Sequence, residues 1–588
     1  MNYTWSLDVL YKGYDDPKFA EDMESLDKAL ANMNKFADEI ASLPPKEALL
    51  EYIKQSENMQ HLISRLFEFA SLRASANTKD TESASVSGRL MGKLSSTAKA
   101  RTKIEKHIAS LENLDELIES EPVLKEYEYM LHNMREEQKH RLSDECEEIA
   151  SLFNISGGNA WEDLHSFLTS SVTADYRGEK LNLSSVRNLA YSTDPDVRKD
   201  AYNAEISCYD KIKDSVAFAL NSIKLQVINE AKLRGFSSPL DQVLFNSHMT
   251  RETLDALLDS MQEHMDIFRR YLKIKAEALG HKNGLPWYDL FAPMGSCERT
   301  FTVEEAKDYL LNIFRGFDDD LANMVERAFN EEWIDFFPRE GKVGGAFCAG
   351  LESAKQSRIL TNFDGALTDV VTLAHELGHA FHNLNIEAHR PLNNDYSMPV
   401  AETASTFNEN IVMNAAINAA QSDEEKLFLI ESQLQDVTQI ICDIYSRYLF
   451  ETSVFQNREE DFMFADRLSE LMLDAQKKAY GDGLDPDVLH PFMWLCKGHY
   501  YSSGLSFYNF PYAFGGLFAR GLYAKYIEQG KDFVPVYRKL LYTTPIATVE
   551  GAARVADIDL SGKEFWTNSL LSYKKNVDEF ERLVKKSK

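Results

Sequence analysis

No stretch of this chain approaches 18 consecutive apolar residues, so no transmembrane helix is expected. The opening segment MNYTWSLDVLYKGYDDPKF lacks a basic stretch followed by an apolar one, so no signal peptide is expected either. The cysteines at 146, 208, 297, 348, 442 and 496 form no CxxC pair, and 588 residues is far above disulfide-scaffold size. They read as free thiols in a reducing compartment, and the chain reads as cytoplasmic. Basic residues are outnumbered, 64 against 93 acidic, giving a net charge of -29. A surface of that sign repels phosphate backbones and anionic lipid, so neither nucleic acid nor a membrane is an expected partner. No repeat of fixed period is present, which argues against a solenoid.

What the chain does have is size and apolar mass. Its 44% hydrophobic content, with 34 Phe and 26 Tyr, suffices for at least two packed units and for clefts lined by aromatic rings. Residues 1 to about 150 read as charged amphipathic helices. In one of them Met23, Leu26, Leu30, Met33, Phe36 and Ile40 form a helical stripe, which Pro44-Pro45 ends. FLTSSVTADYRGEKLNL, residues 167–183, reads as a β-hairpin turning at Arg177-Gly178. The helical pattern resumes near Pro195. The expected organisation is a helical unit over 1–195 and a catalytic unit over 196–588. Residues 340–363 break the helical pattern with Gly341, Gly344, Gly345 and Gly350. Ala346-Phe347-Cys348 and Arg358–Phe363 read as short strands of a small sheet. An edge strand of that kind, at Gly345, Ala346 and Phe347, can hold an extended peptide by its backbone.

DVVTLAHELGHAFHNL carries the pattern HExxH at His375, Glu376 and His379. Val370, Ala374, Leu377, Phe381 and Leu384 make one apolar stripe, so the segment is an amphipathic helix. Residues four apart lie on one helical face, which brings the two imidazoles together as ligands for one Zn²⁺ per chain. Glu376 lies about 100° around the helix, outside the ligand set but within reach of a metal-bound water. A catalytic zinc needs a third protein ligand and an open position. The extension HExxHxxGxxH fails here, because His382 and Asn385 stand where Gly and His are needed. Glu387 is too near in sequence to leave the helix and return. Glu402, 23 residues past His379 in AETASTFNENIVMNAA, has room for a loop and a return. Glu402 is therefore expected as the third ligand, and Glu409, two turns further along the same face, as the carboxylate that orients a ligating histidine. His382 is expected to be a core histidine or to sit behind the ligands.

TLAHELGHAFH, PVAETASTFNEN and the upstream GGAFC…ILTNF resemble the core block of the oligoendopeptidase F branch of the thimet oligopeptidase family. WSLDVLYKGYDDPKF, LPWYDLFAP and IATVEGAARVADIDLSGKEFW are similar to its outer blocks, in order along nearly the whole chain. The resemblance implies a mostly α fold, with two helical halves enclosing a deep channel and a small β-sheet beside the HExxH helix. It implies hydrolysis of short peptides at internal bonds, with His375, His379 and Glu402 on zinc and Glu376 as base. It also implies a His and Tyr cluster near the carboxyl end. The matching stretch GHYYSSGLSFYNFPYAFGG supplies His499, and it places Tyr508 and Tyr512 where the family has substrate-binding tyrosines. Tyr512 or His499 would assist the developing oxyanion. Two other readings stand beside this one: removal of residues from a peptide's carboxyl end by the same site, and a non-catalytic peptide-binding protein. Oligomeric state is not legible.

Overall fold

The computed structural model describes residues 2–587. Helices dominate, and several begin at a capping side chain or a proline. In α1 (Pro17–Glu39) Asp16 caps the start by accepting from the Lys18 amide, Pro17 sits where no amide partner is needed, and the stripe through Leu26, Leu30, Met33 and Phe36 is buried. α2 (Pro45–Ala76) follows after the Pro44-Pro45 break. Two short strands, β1 (Thr173–Tyr176) and β2 (Glu179–Asn182), pair antiparallel. Arg177 and Gly178 turn between them with φ of 49° and 89°, left-handed at both positions as a two-residue hairpin turn requires.

One apolar core gathers residues from Trp5 to Leu131, together with Leu351 and Leu360. The other runs from Val172 to Val584. We propose a division into two units on this basis. The change of core membership falls between Leu131 and Val172, upstream of the boundary at 195 expected from the sequence.

A three-stranded sheet lies at the seam. It consists of β3 (Ile334–Asp335), β4 (Phe347–Leu351) and β5 (Gln356–Leu360), in the order β3-β5-β4, with β3 parallel and β4 antiparallel to β5. Successive residues of a strand face opposite sides. Ile359 accordingly enters the second core while its neighbour Leu360 enters the first. β4 begins one residue later than Ala346, and β5 stops at Leu360, short of Phe363. β4 is an edge: Phe347 pairs with Leu360 and Ala349 with Arg358 on one side, and no strand lies on the other among the described residues.

The remaining elements needed for the site are helices: α3 (Leu367–Ile386), α4 (Thr403–Ala419), α5 (Asp423–Thr438) and α6 (Phe510–Gln529). The architecture is mostly α, with its small sheets confined to the hairpin and the seam. Among the described residues no helix is long and apolar enough to cross a membrane. All six cysteines are free.

Candidate metal centre

α3 carries HExxH because its two faces do different work. Asp369 accepts from the amides of Asp364 and Ala366 and so closes the helix start. Val370, Leu373, Ala374, Leu377 and Phe381 are fully buried and anchor the helix in the second core. At about 1.5–3 kcal/mol for each large side chain, that face fixes the rotation of the helix. His375 and His379 then stand one turn apart, with their Nε2 atoms 3.2 Å from each other.

Gly378 determines how near the partner helix comes. A Cβ there would lie 2.5 Å from both the Ala404 carbonyl oxygen and the Ser405 Cα of α4. The two backbones therefore touch, and this contact brings Glu402, at the break just before α4, under the histidines. Its Oε2 lies 3.3 Å from His375 Nε2 and 3.5 Å from His379 Nε2. Gly378→Ala is expected to push α4 away, at a cost of about 1–3 kcal/mol or more in stability, and to weaken metal binding with it. Calorimetric melting and zinc titration check this; unchanged values for both would remove the role assigned to the glycine.

The three donor atoms form a nearly equilateral triangle with edges of 3.2, 3.3 and 3.5 Å. Bonds of about 2.0–2.1 Å at tetrahedral angles span roughly 3.3–3.4 Å between ligands. Imidazole and carboxylate donors with that spacing fit zinc. Among the described residues, this trio is also the group of ligand side chains brought within coordinating distance of one another.

His375 Nδ1 donates to Glu409 Oε1 at 2.6 Å, so Nε2 is the nitrogen that faces the other donors and the one whose proton a bound metal would displace. Burial pushes the His375 imidazole down, but the hydrogen bond and charge of Glu409, with Glu376 and Glu402, outweigh it and raise its pKa to about 9. His379 is held down to about 4 by burial and by the neighbouring charge of His375. A charge on one ring thus disfavours a charge on the other.

Glu376 is buried, and its Oε2 has no hydrogen-bond partner. Burial raises its pKa to about 7; the His375 charge opposes the rise, while Glu402 and Glu409 add to it. A buried carboxylate oxygen without a partner is costly to the fold unless another molecule completes it.

The carboxyl-end cluster assembles as a chain of contacts. Asn509 Nδ2 donates to His499 Nε2 at 2.8 Å, so the ring proton is on Nδ1. Burial and the cations Arg447, Lys224 and Lys497 push His499 down to about 2, so it is neutral. Tyr512, in the first turn of α6, donates to the Tyr508 hydroxyl at 2.8 Å. Burial, Tyr508 and the charge of Glu402 all push the Tyr512 phenol upward, which places its hydroxyl within the field of the metal site. Gly345 and Ala346 lead into the free edge of β4, and Phe347 begins it. Cys348, the next residue on that strand, lies close enough to Glu376 for the carboxylate to act on its thiol. His382 is buried, stacked on Tyr396 with ring centroids 4.0 Å apart, and bonded to Thr544 Oγ1 at 2.8 Å, so it is spent in the core.

Two contacts escaped the sequence. Ser405 donates to Glu402 Oε2 at 2.7 Å and steadies that carboxylate. Its position three residues along the helix from Glu402 was a usable signal. Asn509 on His499 had none, because the two lie ten positions apart along largely irregular chain.

The profile of peptidase family M3 matches residues 188–541, and that of oligopeptidase F matches residues 109–173. Oligopeptidase PepF of Bacillus subtilis is 23% identical over 596 residues, covering 100% of this chain and 88% of that one. Group B oligopeptidase PepB of Streptococcus agalactiae is 23% identical, covering 99% and 97%. Among solved structures, oligoendopeptidase-F from Enterococcus faecium superposes with a TM-score of 0.71 at 20% identity, over 97% of this chain and 99% of that one. A chain from Chlamydophila abortus reaches 0.85 at 20% identity, over 99% and 98%.

Proposed function

The chain belongs to peptidase family M3, and from that premise we propose that it hydrolyses internal bonds of short peptides, using one zinc ion held by His375, His379 and Glu402. The observation that carries this reading is the donor triangle beside the partnerless oxygen of Glu376. Zinc bound there would supply a Lewis acid that acidifies water and polarises a peptide carbonyl. Glu376 Oε2 takes the proton of the attacking water. The oxygen–carbon bond forms, the carbon–nitrogen bond breaks, and Glu376 passes the proton to the departing nitrogen. Glu409 keeps His375 in the tautomer that a ligand needs. The free edge of β4 holds the peptide extended through backbone hydrogen bonds, entering at Gly345, Ala346 and Phe347. Tyr512 turns its proton from the Tyr508 hydroxyl to the carbonyl oxygen as negative charge develops there, and Tyr508 positions Tyr512 or contacts the peptide backbone. His499, neutral with its proton on Nδ1, is the second available donor.

Tyr512→Phe is expected to lower kcat by about 10²–10³, the usual loss for one oxyanion donor. KM should stay nearly unchanged and zinc should be retained. Tyr508→Phe should raise KM more than it lowers kcat, the mark of a contact made equally in ground and transition states. Steady-state kinetics on one short peptide separate the two. The reverse pattern exchanges their roles, and silence in both transfers donation to His499.

A second reading, release of residues from the carboxyl end, is favoured by Lys497. This lysine stands two residues before His499 and has no hydrogen bond or ion pair from its ammonium among the described residues. Burial and the charges of Arg447 and Arg187 lower its pKa and outweigh the opposing effect of Asp443 and Cys496, so a further carboxylate would stabilise its charged form. A peptide blocked at both ends decides between the readings. Internal cuts, mapped by mass spectrometry, are expected; an uncut blocked peptide with its free-ended twin losing carboxyl-end residues would replace the first reading by the second.

A further inference from the structure

Next to the Glu409 carboxylate that holds His375, between α3, α4, α5 and α6, lies a cavity of about 240 Å³. Thr368 and Thr372 of α3 line it, the latter one turn before His375. Glu409 is shared between the two places: one oxygen accepts the hydrogen bond from His375 Nδ1, and the residue also forms the cavity wall. Across from it, on α5, stands Asp436. Asp436 is solvent-accessible and its carboxylate has no hydrogen bond or ion pair among the described residues.

The cavity lacks a counter-ion of its own. Its wall contains no Lys, Arg or His. Partial burial, and after it the charges of Glu409 and Glu431, both carboxylates, push the pKa of Asp436 upward. Glu431 is already paired with buried Lys275 at 2.6 Å, so that lysine is spent. Arg520 sits behind the Tyr573 ring, 4.3 Å from its centroid, and gives its donors to Asn410 and Ser572. The cavity is not arranged for a metal ion either, since Asp436 is in no group of ligand side chains within coordinating distance. Its chemistry fits a group that is cationic at one end and aliphatic along its length. Met413, Val437 and Leu517 offer wall for the stem, and Asp436 and Gln433 offer oxygens for the head.

We infer that this cavity is a specificity pocket for a cationic group of the peptide, with Asp436 as its counter-ion. The inference rests on the peptide-hydrolase reading above. The group is a Lys or Arg side chain or a terminal ammonium, and both present the same hydrogen-bonding positive charge.

The test uses one short peptide in four forms: with lysine or its uncharged isostere norleucine at a chosen position, and with the amino end free or acetylated. The position is scanned along the peptide. Binding is measured by calorimetry on the zinc-loaded Glu376→Gln chain, with and without Asp436→Asn, and kcat/KM is measured on the chain with Glu376 intact. Asp436→Asn is expected to weaken the cationic form by roughly two- to fivefold, the scale for an ion pair that keeps contact with solvent. The acetylated norleucine form and the zinc content should not change. Loss confined to acetylated lysine peptides identifies the side chain as occupant, and loss confined to free amino ends identifies the terminal ammonium; either supports the pocket. Asp436→Lys should turn the preference toward glutamate. Equal affinity for charged and uncharged forms at every position, or a preference that survives Asp436→Asn, overturns the inference. Binding that discriminates without any cleavage would keep the pocket and remove the peptide-hydrolase reading.

Discussion

Glu376→Gln is expected to keep its zinc and to lose at least about two orders of magnitude in kcat, the low end for a general base. The substitution changes one atom of a buried side chain, so shape and packing survive. Glu376 is not one of the three donors, and the triangle of His375, His379 and Glu402 is untouched. What disappears is the basic oxygen Oε2, which has no partner in the fold and therefore nothing to do except serve a bound molecule. An amide cannot take the proton of water at neutral pH. KM should change little, since the carboxylate's contribution comes when the proton moves. Metal content by plasma emission, beside turnover of a quenched short peptide, checks both halves. A metal-loaded variant with near-normal turnover would contradict the assignment and leave the chemistry without its base.

Glu402→Ala is expected to lose its metal on dialysis and, with it, its activity. Even a residue that merely orients a ligand costs about 10–100-fold in metal affinity or activity when changed, so removing a donor should cost more than about 100-fold. The geometry sharpens the contrast with Glu387, the acid that closes α3. Eight residues beyond His379 on one helix, it lies about 12 Å further along the axis. Glu387→Ala should therefore retain zinc. Ser405→Ala, which removes the hydroxyl steadying Glu402 Oε2, should fall between the two. Zinc titration of the three variants in one buffer gives the order. Retention by Glu402→Ala with loss by Glu387→Ala would reverse the assignment of the third ligand.

The parts of this site that could be read in advance are those encoded by spacing along one element. His375 and His379 share a face because four residues make about one turn, and the apolar stripe says which way that face looks. The place of Glu402 follows from needing a loop and a return. Glu409 follows from two further turns of the same helix. The strands before α3 were legible as breaks in helical pattern, although β4 and β5 are displaced by one to three residues, because strand ends are set by pairing with a partner. The cavity at Asp436 was not legible, since Thr368, Glu409, Asp436 and Tyr573 come from four segments that only tertiary packing brings together. Gly378 looked like any glycine in a helix, a small loss of helical propensity. Its purpose appears once α4 is seen lying against it, with Ala404 and Ser405 in the space a Cβ would fill. The core changeover between Leu131 and Val172 was hidden for a similar reason: both cores are apolar and helical, so composition does not change where membership does.

Zinc-edge X-ray absorption on the dialysed, zinc-loaded chain tests the central claim most directly, because it reports the identity of the donors. Two imidazoles and carboxylate or water oxygen at about 2.0–2.1 Å, with one zinc per chain, is the predicted result. A sulfur shell at about 2.3 Å would bring Cys348 of β4 into the site, and a third imidazole would bring in His382; either would contradict a centre built from His375, His379 and Glu402.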